Sequence, residues 1–259
     1  MELKEFLIIE RNDEEIKFDF NIKDLKNHVQ SGNPAIIRGF FSEEECRELI
    51  KFSIGFSKTE DVSCPTVSAN TPNYHRIDNN IEKSKVKSIL HLFTYFYWNK
   101  ESQPVAKFFK RLFRLRNLIS NLPENYALEN LEDDMISIPI VQQYPSGGGY
   151  MQEHMDPSIG QKVVFSVLLS KFSRDFFSGG LFFRNEKNEK IYVDSKLNPG
   201  DAFVFHPNTR HGVDPIDPEN KLDWNNFHGR WMCFSALVNV KTLNGQDVDA
   251  SSASKAMIY

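Results

Sequence analysis

The chain contains 259 residues, 40% of them hydrophobic and 25% charged, with a formal net charge of −4 at pH 7. This length fits one large domain or two small ones, and the 22 phenylalanines are ample for a buried core. The mild charge excludes a bulk electrostatic affinity for nucleic acid, and no run approaches the roughly 18 apolar residues that span a membrane. We therefore expect neither nucleic acid nor a membrane among the partners of this protein.

The N-terminal segment and the cysteines indicate a cytoplasmic protein. The segment MELKEFLIIERNDEE has an early acidic residue and a very short apolar stretch, which does not fit a signal peptide. The three cysteines, Cys46, Cys64 and Cys233, are scattered and odd in number, so they predict no disulfide framework. We expect a reducing compartment.

Residues 1–134 are predicted to be a mostly helical support region, with one strand and helix in NPAIIRGFFSEEECRELI. Ser42 and Glu45 form an S-x-x-E capping box, which marks the start of a helix. His28 and His91 have helical surroundings and are expected to be structural. A further helix, packed against a sheet, is predicted by the helical spacing of Val105, Phe108, Phe109, Leu112, Leu115 and Ile119.

Two polar segments of this region leave alternatives open. The segment from Lys83 to Arg116 contains nine lysines and arginines and one acidic residue, Glu101. It is either a solvated helix face or a basic rim that attracts an anionic substrate. The segment YHRID, residues 74–78, is either a solvated loop, which is the commoner case, or the lining of a substrate pocket.

The segment from Met135 to Val240 consists of short apolar runs that are separated by turn signals, without helices between them. KVVFSVLLS has the continuous apolar character of a buried strand, and FSGGLFFRNEKNEKIYVD is typical of a hairpin that Gly179 and Gly180 open. LNPGDAFVFHP predicts a turn and a strand, and RWMCFSALVNV a last long strand. Together these runs predict a closed or double-sheet β architecture such as a jelly roll.

The triplet His154-Met155-Asp156 lies at a predicted strand end, because Pro157 cannot continue a central ladder. Alternate residues of a strand point to the same face, so His154 and Asp156 present an imidazole and a carboxylate side by side. With a distal histidine, His211, they can form the 2-His-1-carboxylate triad that binds non-haem Fe(II). Alone, such a triplet is more often a surface pair.

Four ordered motifs place this run beside a known family. QYPSGGGYMQEHMD, SGGLFF, PGDAFVFHPNTRHGVDPI and GRWMCFSAL resemble the core of the 2-oxoglutarate/Fe(II)-dependent dioxygenases, in particular the prolyl 4-hydroxylase-like branch. The resemblance covers about residues 135–240. It implies a double-stranded β-helix core, which is a jelly roll of the cupin-like kind.

The resemblance also implies roles for individual residues. His154, Asp156 and His211 would bind Fe(II), and Arg230 would pair with the distal carboxylate of 2-oxoglutarate through its guanidinium fork. Tyr144 falls where relatives place a hydroxyl near this cosubstrate. O2 would be the second cosubstrate, and ascorbate is a further candidate cofactor.

The spacing between His211 and Arg230 departs from the family pattern. Arg230 follows His211 by 19 positions, which is longer than usual, and residues 215–229 are interpreted as a loop insertion. Lys221, in this insertion, is the alternative to Arg230 as the anchor, which is the residue that binds the distal carboxylate of 2-oxoglutarate.

Other residues bear on the choice of the distal metal ligand and on the choice between related enzyme classes. His206 is an alternative to His211 as the distal ligand, but the Val-Asp-Pro after His211 fits the family better. His228 is expected to be a solvated loop histidine. The carboxylate of Asp156 favours oxidation over the related halogenases, in which a small residue stands there, and Ala236 stands where the nucleic-acid demethylases have a second arginine.

We therefore predict one domain over residues 1–259, mainly β with flanking α. It comprises the support region as an N-terminal helical shell (1–134), the jelly-roll core (135–240) and a tail (241–259). The predicted activity is hydroxylation of an unactivated C–H bond of a small metabolite, such as an amino acid or a natural-product intermediate. If the basic rim attracts the substrate, this metabolite is anionic. The alternatives are a hydroxylase of a protein side chain, a non-catalytic metal-binding cupin-like protein and, more weakly, a zinc hydrolase.

Overall fold

The apolar runs after residue 134 form strands, as predicted. A computed structural model describes residues 2–11, 16–57, 67–68, 70–82, 84–156 and 162–243. Within these ranges the later strands are β6 (Met135–Pro145), β7 (Gly149–His154), β8 (Val164–Leu168), β9 (Gly180–Arg184), β10 (Lys190–Tyr192), β11 (Ala202–Phe205), β12 (His211–Ile216) and β13 (Gly229–Asn239). Cys64, Pro157 and the tail from residue 244 onward lie outside the described residues.

The region before residue 135 supplies strands as well as helices, so it is not a helical shell alone. Its strands are β1 (Lys4–Arg11), β2 (Ile16–Phe18), β3 (Ala35–Arg38), β4 (Tyr74–Asn79) and β5 (Ser88–Thr94). The helices are α1 (Ile22–Gln30), α2 (Glu43–Ser57) and α3 (Gln103–Ile119), and α4 (Val240–Leu243) follows β13. None of the helices in the described ranges has the length and apolar character of a membrane span.

Three predictions for this region have clear outcomes. The capping box is confirmed, since the Glu45 backbone N–H donates to Ser42 Oγ at 3.0 Å and the Ser42 N–H donates to Glu45 Oε2 at 2.6 Å. The helical surroundings predicted for His91 are wrong, because His91 lies in β5. The solvated loop favoured for residues 74–78 is also wrong, because they lie in β4. Strand β5 is buried along nearly all its length, so it lacks the alternation that marks a half-exposed strand.

The described strands hydrogen-bond into one sheet that folds over on itself. Their order is β10-β9-β12-β7-β5-β6-β13-β8-β11-β3-β1-β2, with β4 paired to β5. Strands far apart in this order nevertheless face each other. The ring of Phe183 in β9 stacks on that of Phe203 in β11, with centroids 6.0 Å apart. The molecule is therefore mostly β, with a large folded sheet that is consistent with a jelly-roll core.

Apolar clusters lie on both faces of the folded sheet. Inside it, Tyr144, Phe183, Phe203 and Val213 belong to one cluster, which we call the barrel interior. On the outer face, α1, α2 and α3 pack on the sheet through a second cluster, the helix face, which includes Phe108, Leu112, Trp231 and Cys233. Residues 231–233 of β13 alternate between these clusters, since Trp231 and Cys233 lie in the helix face and Met232 packs against the barrel interior.

The loop insertion lies against the Gly-rich turn that precedes β7. Gly147 has φ +100°, and a Cβ added to it would lie 2.6 Å from the backbone nitrogen of Leu222. The Gly147 N–H also donates to the Ile216 carbonyl at 3.1 Å. A glycine is therefore required here both for the turn and for the close approach of the insertion.

Candidate metal centre

Two neighbouring antiparallel strands place the two histidines of the candidate centre. His154 is the last residue of β7 and His211 the first of β12, and they are direct partners in the register of these strands. Their ring centroids lie 4.4 Å apart. Met155, the next residue, is 57% exposed, so its side chain turns away from the pair. The alternation predicted from the sequence is therefore present at this strand end.

Asp156 completes the group just beyond the end of β7. Its backbone N–H donates to the Pro207 carbonyl at 3.0 Å, and its side chain is buried. Oδ1 lies 3.5 Å from His154 Nε2, and Oδ2 lies 3.6 Å from His211 Nε2. Ligand atoms of all three residues lie within 4.8 Å of one another. Within the described ranges no other group of three His, Cys, Asp or Glu side chains converges in this way.

Backbone carbonyls fix the tautomers of both imidazoles. His154 Nδ1 lies 2.8 Å from the Gln152 carbonyl oxygen, and His211 Nδ1 lies 2.9 Å from that of Thr209. A carbonyl oxygen can only accept, so each Nδ1 carries the hydrogen and donates it. In the neutral imidazoles each Nε2 therefore carries the lone pair, on the side of the ring that faces Asp156. Such orientation of the second ring nitrogen is typical of histidines that bind metal.

The charge states also suit a cation. Burial acts to raise the pKa of Asp156, but His211 and His154 lower it below its usual range, so this carboxyl is ionised at neutral pH. Burial lowers the pKa of His211, which favours its neutral form. Burial acts in the same direction on His154, yet the hydrogen bond and charge of Asp156 raise its pKa overall. Two imidazole nitrogens and one carboxylate on one side of an ion are the donors that non-haem Fe(II) takes.

Arg230 lies in the barrel interior, as an anchor for a cosubstrate must. It is only 2% exposed and is the second residue of β13. Its Nε and Nη2 donate to Asp194 at 2.6 and 3.0 Å. Nη1 is buried and has no hydrogen-bond partner within the described residues. A buried N–H donor without a partner is costly, so it fits a site that receives a carboxylate oxygen.

Tyr144 stands opposite Arg230 in the register of β6 and β13. The Arg230 guanidinium carbon lies 5.5 Å from the centre of its ring, within the range of a cation–π contact. The Tyr144 hydroxyl donates to Gln142 Oε1 at 2.8 Å. Burial raises the pKa of Tyr144 well above its usual value, so the phenol stays protonated at neutral pH.

The remaining predicted candidates lie outside this group. Lys221 and His228 are exposed on the insertion, the latter as expected. His206 Nδ1 accepts from the Asn208 N–H at 3.2 Å, and His206 is not one of the three converging ligands.

The segment 74–78 divides between the two faces of the sheet. Arg76 and Asp78 form a buried ion pair 2.6 Å long, and their partners in β5, Leu92 and Leu90, belong to the barrel interior. His75 is turned the other way, and its Nε2 lies 2.8 Å from His91 Nδ1. The sequence prediction missed this division because it did not treat the segment as a strand.

Asp194 was not predicted from the sequence. It lies 36 residues before its partner Arg230, in a 3₁₀ turn at Asp194–Lys196 that follows β10. A single acidic residue after a hairpin strand gives no sign of the pairing. The available signal for such a partner was the assignment of Arg230 to the cosubstrate site, since a buried guanidinium requires an acceptor.

Solved structures of other proteins share this fold. A prolyl-4-hydroxylase from Pseudomonas putida is 12% identical, with a TM-score of 0.53, over 84% of this chain and 98% of that chain. A prolyl hydroxylase from Trichoplax adhaerens, in complex with an oxygen degradation domain peptide of hypoxia inducible factor, is 14% identical, with a TM-score of 0.52, over 85% and 91%. A non-haem alpha-ketoglutarate-dependent epimerase of nogalamycin biosynthesis is 11% identical, with a TM-score of 0.50, over 84% and 82%.

At these identities the similarity is one of fold. No protein-family model and no curated protein matches the sequence. The fold that the motifs predicted, which the prolyl hydroxylases share, is therefore confirmed.

Proposed function

We propose that this protein is an Fe(II)- and 2-oxoglutarate-dependent oxygenase. The observation that carries the proposal is the combination of two features in one folded sheet. His154, Asp156 and His211 converge with both Nε2 atoms directed at the carboxylate. Arg230 keeps a buried Nη1 in the barrel interior that has no hydrogen-bond partner among the described residues. The first feature suits a divalent iron and the second suits an anionic cosubstrate.

In this proposal His154, Asp156 and His211 hold the iron, and Arg230 binds the distal carboxylate of 2-oxoglutarate. When bound, iron, 2-oxoglutarate and O2 together supply an oxidant for an unactivated C–H bond, with succinate and CO2 as by-products. Folding fixes the orientation of both imidazoles through the Gln152 and Thr209 carbonyls, so the metal ligands need little rearrangement on binding.

The environment of the proposed cosubstrate site comes from the barrel interior. The ring of Tyr144 lies beside Arg230, and its hydroxyl, which burial keeps protonated by raising its pKa, donates to Gln142. The surrounding residues of the cluster, such as Phe183, Phe203 and Val213, are apolar and exclude water from the reacting groups.

We propose a small polar metabolite as the substrate, with a protein side chain as the alternative. The support comes from β4, where Arg76 and Asp78 place a buried ion pair on the face of the sheet that lines the barrel interior. A charged pair in this position can recognise a polar group of a small molecule. The carboxylate of Asp156 supports oxidation rather than halogenation, since it occupies the position that a halide would need.

Succinate formation tests the activity without knowledge of the substrate. The purified protein, given Fe(II), 2-oxoglutarate and O2, is expected to release succinate slowly in the absence of substrate, and Asp156→Ala is expected to abolish this release. His206→Ala is the matched control and should retain it. Protein that binds both iron and 2-oxoglutarate but forms no succinate with any substrate in a metabolite and peptide screen would contradict the proposal. That result would favour a non-catalytic metal-binding protein.

A further inference from the structure

The carboxylate of Asp194 has three hydrogen-bond donors around it. Oδ2 accepts from Arg230 Nε at 2.6 Å and from the Leu181 backbone N–H at 2.8 Å, and Oδ1 accepts from Arg230 Nη2 at 3.0 Å. Asp194 is 2% exposed. Because one of its donors is backbone of β9, the carboxylate is fixed to the sheet and not only to the arginine.

Gly180 provides the space that this carboxylate occupies. A Cβ added to Gly180 would lie 2.4 Å from Asp194 Oδ2, and the residue has φ +112°. A side chain at this position would thus push the carboxylate away from Arg230 and would strain the backbone. The second glycine of SGGLFF therefore does more than open a hairpin, since it also leaves room for Asp194.

The pairing leaves a defined part of the Arg230 guanidinium available. The edge formed by Nε and Nη2 faces Asp194, and the ring of Tyr144 lies near the group. Nη1 is buried without a partner in the described part of the chain. An anion that enters the barrel interior therefore meets the Nη1 end and not the Nε edge.

The ion pair of Asp194 and Arg230 has no net charge. Burial acts to lower the pKa of Arg230, but the charge and hydrogen bonds of Asp194 raise it above its usual value. Removal of one partner from a buried pair leaves an uncompensated charge, and the remaining side chain then tends to rearrange. Asp194 thus compensates the buried charge of the guanidinium and holds it in one orientation before any ligand arrives.

We propose that Asp194 is a positioning residue that holds Arg230 so that Nη1 is presented to the distal carboxylate of the cosubstrate. This inference rests on the proposed function. Asp194 does not touch the ligand and acts through Arg230. In the opposite role, Asp194 would compete with 2-oxoglutarate for Arg230 and would be displaced when 2-oxoglutarate binds. The two roles predict opposite effects when the charge of Asp194 is removed.

A comparison of two oxo acids separates these roles. 2-Oxoglutarate and pyruvate have the same 2-oxo carboxylate for the metal, but pyruvate lacks the distal carboxylate. Their affinities for the Fe(II)-loaded protein are measured anaerobically by calorimetry for wild type and Asp194→Asn. We expect the variant to lose roughly 10- to 100-fold in affinity for 2-oxoglutarate, as for other residues that orient a ligand-binding group, with no change for pyruvate. A tighter 2-oxoglutarate complex in the variant would overturn the positioning role.

Two more variants distinguish loss of the positioning role from a general folding defect. Asp194→Glu keeps the charge but moves the carboxylate by one methylene against Gly180, so it should also weaken 2-oxoglutarate and not pyruvate. An unchanged affinity in Asp194→Glu would overturn the role, because it would show that the position of the carboxylate is unimportant. Asp201→Asn is the matched control, since Asp201 is a buried carboxylate whose partners are Arg38, Gly39 and Asn198. It should bind both acids normally.

A failure of the wild-type protein to bind 2-oxoglutarate selectively has a different meaning. Wild-type protein that binds iron but neither oxo acid would overturn the proposed function itself and, with it, this role for Asp194. Wild-type protein that binds both acids equally well would leave the metal site in place but would overturn the pairing of Arg230 with the distal carboxylate.

Discussion

His154 and His211 are direct cross-strand partners at the adjoining ends of β7 and β12, with ring centroids 4.4 Å apart. The backbone hydrogen bonds of an antiparallel pair fix the spacing of the side chains opposite each other. Asp156 then needs only two further residues of chain to reach both imidazoles. The candidate metal centre is therefore assembled by strand pairing, and we expect it to be formed before a metal binds.

The first prediction concerns the metal ligands. His154→Ala and Asp156→Ala should each abolish Fe(II) binding measured anaerobically by calorimetry, because each removes one of three donors. His206→Ala should bind iron like the wild type, since His206 lies outside the group that converges. Retention of full iron affinity in either of the first two variants would refute the assignment of the triad.

The second prediction concerns the anchor. Arg230→Ala should raise the KM for 2-oxoglutarate on the order of 100-fold, because a charge-assisted contact is lost in a buried site. Iron affinity should not change, since Arg230 is not one of the three ligands. Lys221→Ala is the control and should leave the KM unaltered, because Lys221 is exposed. A KM that rises only in Lys221→Ala would move the anchor to the insertion.

The third prediction concerns stability in acid. Burial lowers the pKa of His75 to about 4, and burial together with the charge of His75 lowers that of His91 to about 3. Both groups titrate near ~6.5 in the unfolded chain, so below that pH the unfolded state binds more protons than the folded state. Their contribution to the free energy of unfolding is thus fully present above pH ~6.5 and decreases as the pH falls towards 4.

Urea unfolding between pH 7.5 and 4 measures this dependence. The double variant His75→Phe, His91→Phe should give a flatter curve of unfolding free energy against pH, because neither residue then takes up a proton. His228→Gln, a change in an exposed loop histidine, should retain the slope of the wild type. A double variant with the same slope as wild type would exclude this pair as the origin of the acid sensitivity.

The fourth prediction compares two glycines. Gly180→Ala should lower the free energy of unfolding by roughly 1–3 kcal/mol, because it strains the backbone and displaces Asp194. It should also weaken binding of 2-oxoglutarate. Gly55, within α2, has no atom within 4 Å of an added Cβ, so Gly55→Ala should stabilise the protein by up to about 1 kcal/mol. Equal effects of the two changes in urea unfolding would contradict the role of Gly180.

The sequence predicted the parts of the fold that depend on local pattern. The hairpin of β9 and β10, the helix α3 and the capping box of Ser42 and Glu45 each have a signal within a few residues. The three candidate ligands were found because strand alternation brings His154 and Asp156 to one face and because His211 stands in a recognisable motif. These features are local, so no tertiary information was needed.

The parts that were missed depend on contacts between distant segments. β5 is buried along its length, so its apolar run lacks the alternation that would have distinguished it from a helix. The pairing of Asp194 with Arg230 joins two residues 36 positions apart through a 3₁₀ turn, and no local pattern encodes it. The contribution of β1 and β3 to the sheet likewise arises from parallel pairing between segments that the chain separates by α1.

Anaerobic titration of the purified protein with Fe(II) and 2-oxoglutarate tests the central proposal most directly. Chelation of iron by the 2-oxo acid gives a weak visible metal-to-ligand charge-transfer band. We predict that this band appears only when both components are present and is lost in His211→Ala. Folded protein that binds iron yet shows no band with saturating 2-oxoglutarate would contradict the assignment of this site to a 2-oxoglutarate-dependent oxygenase.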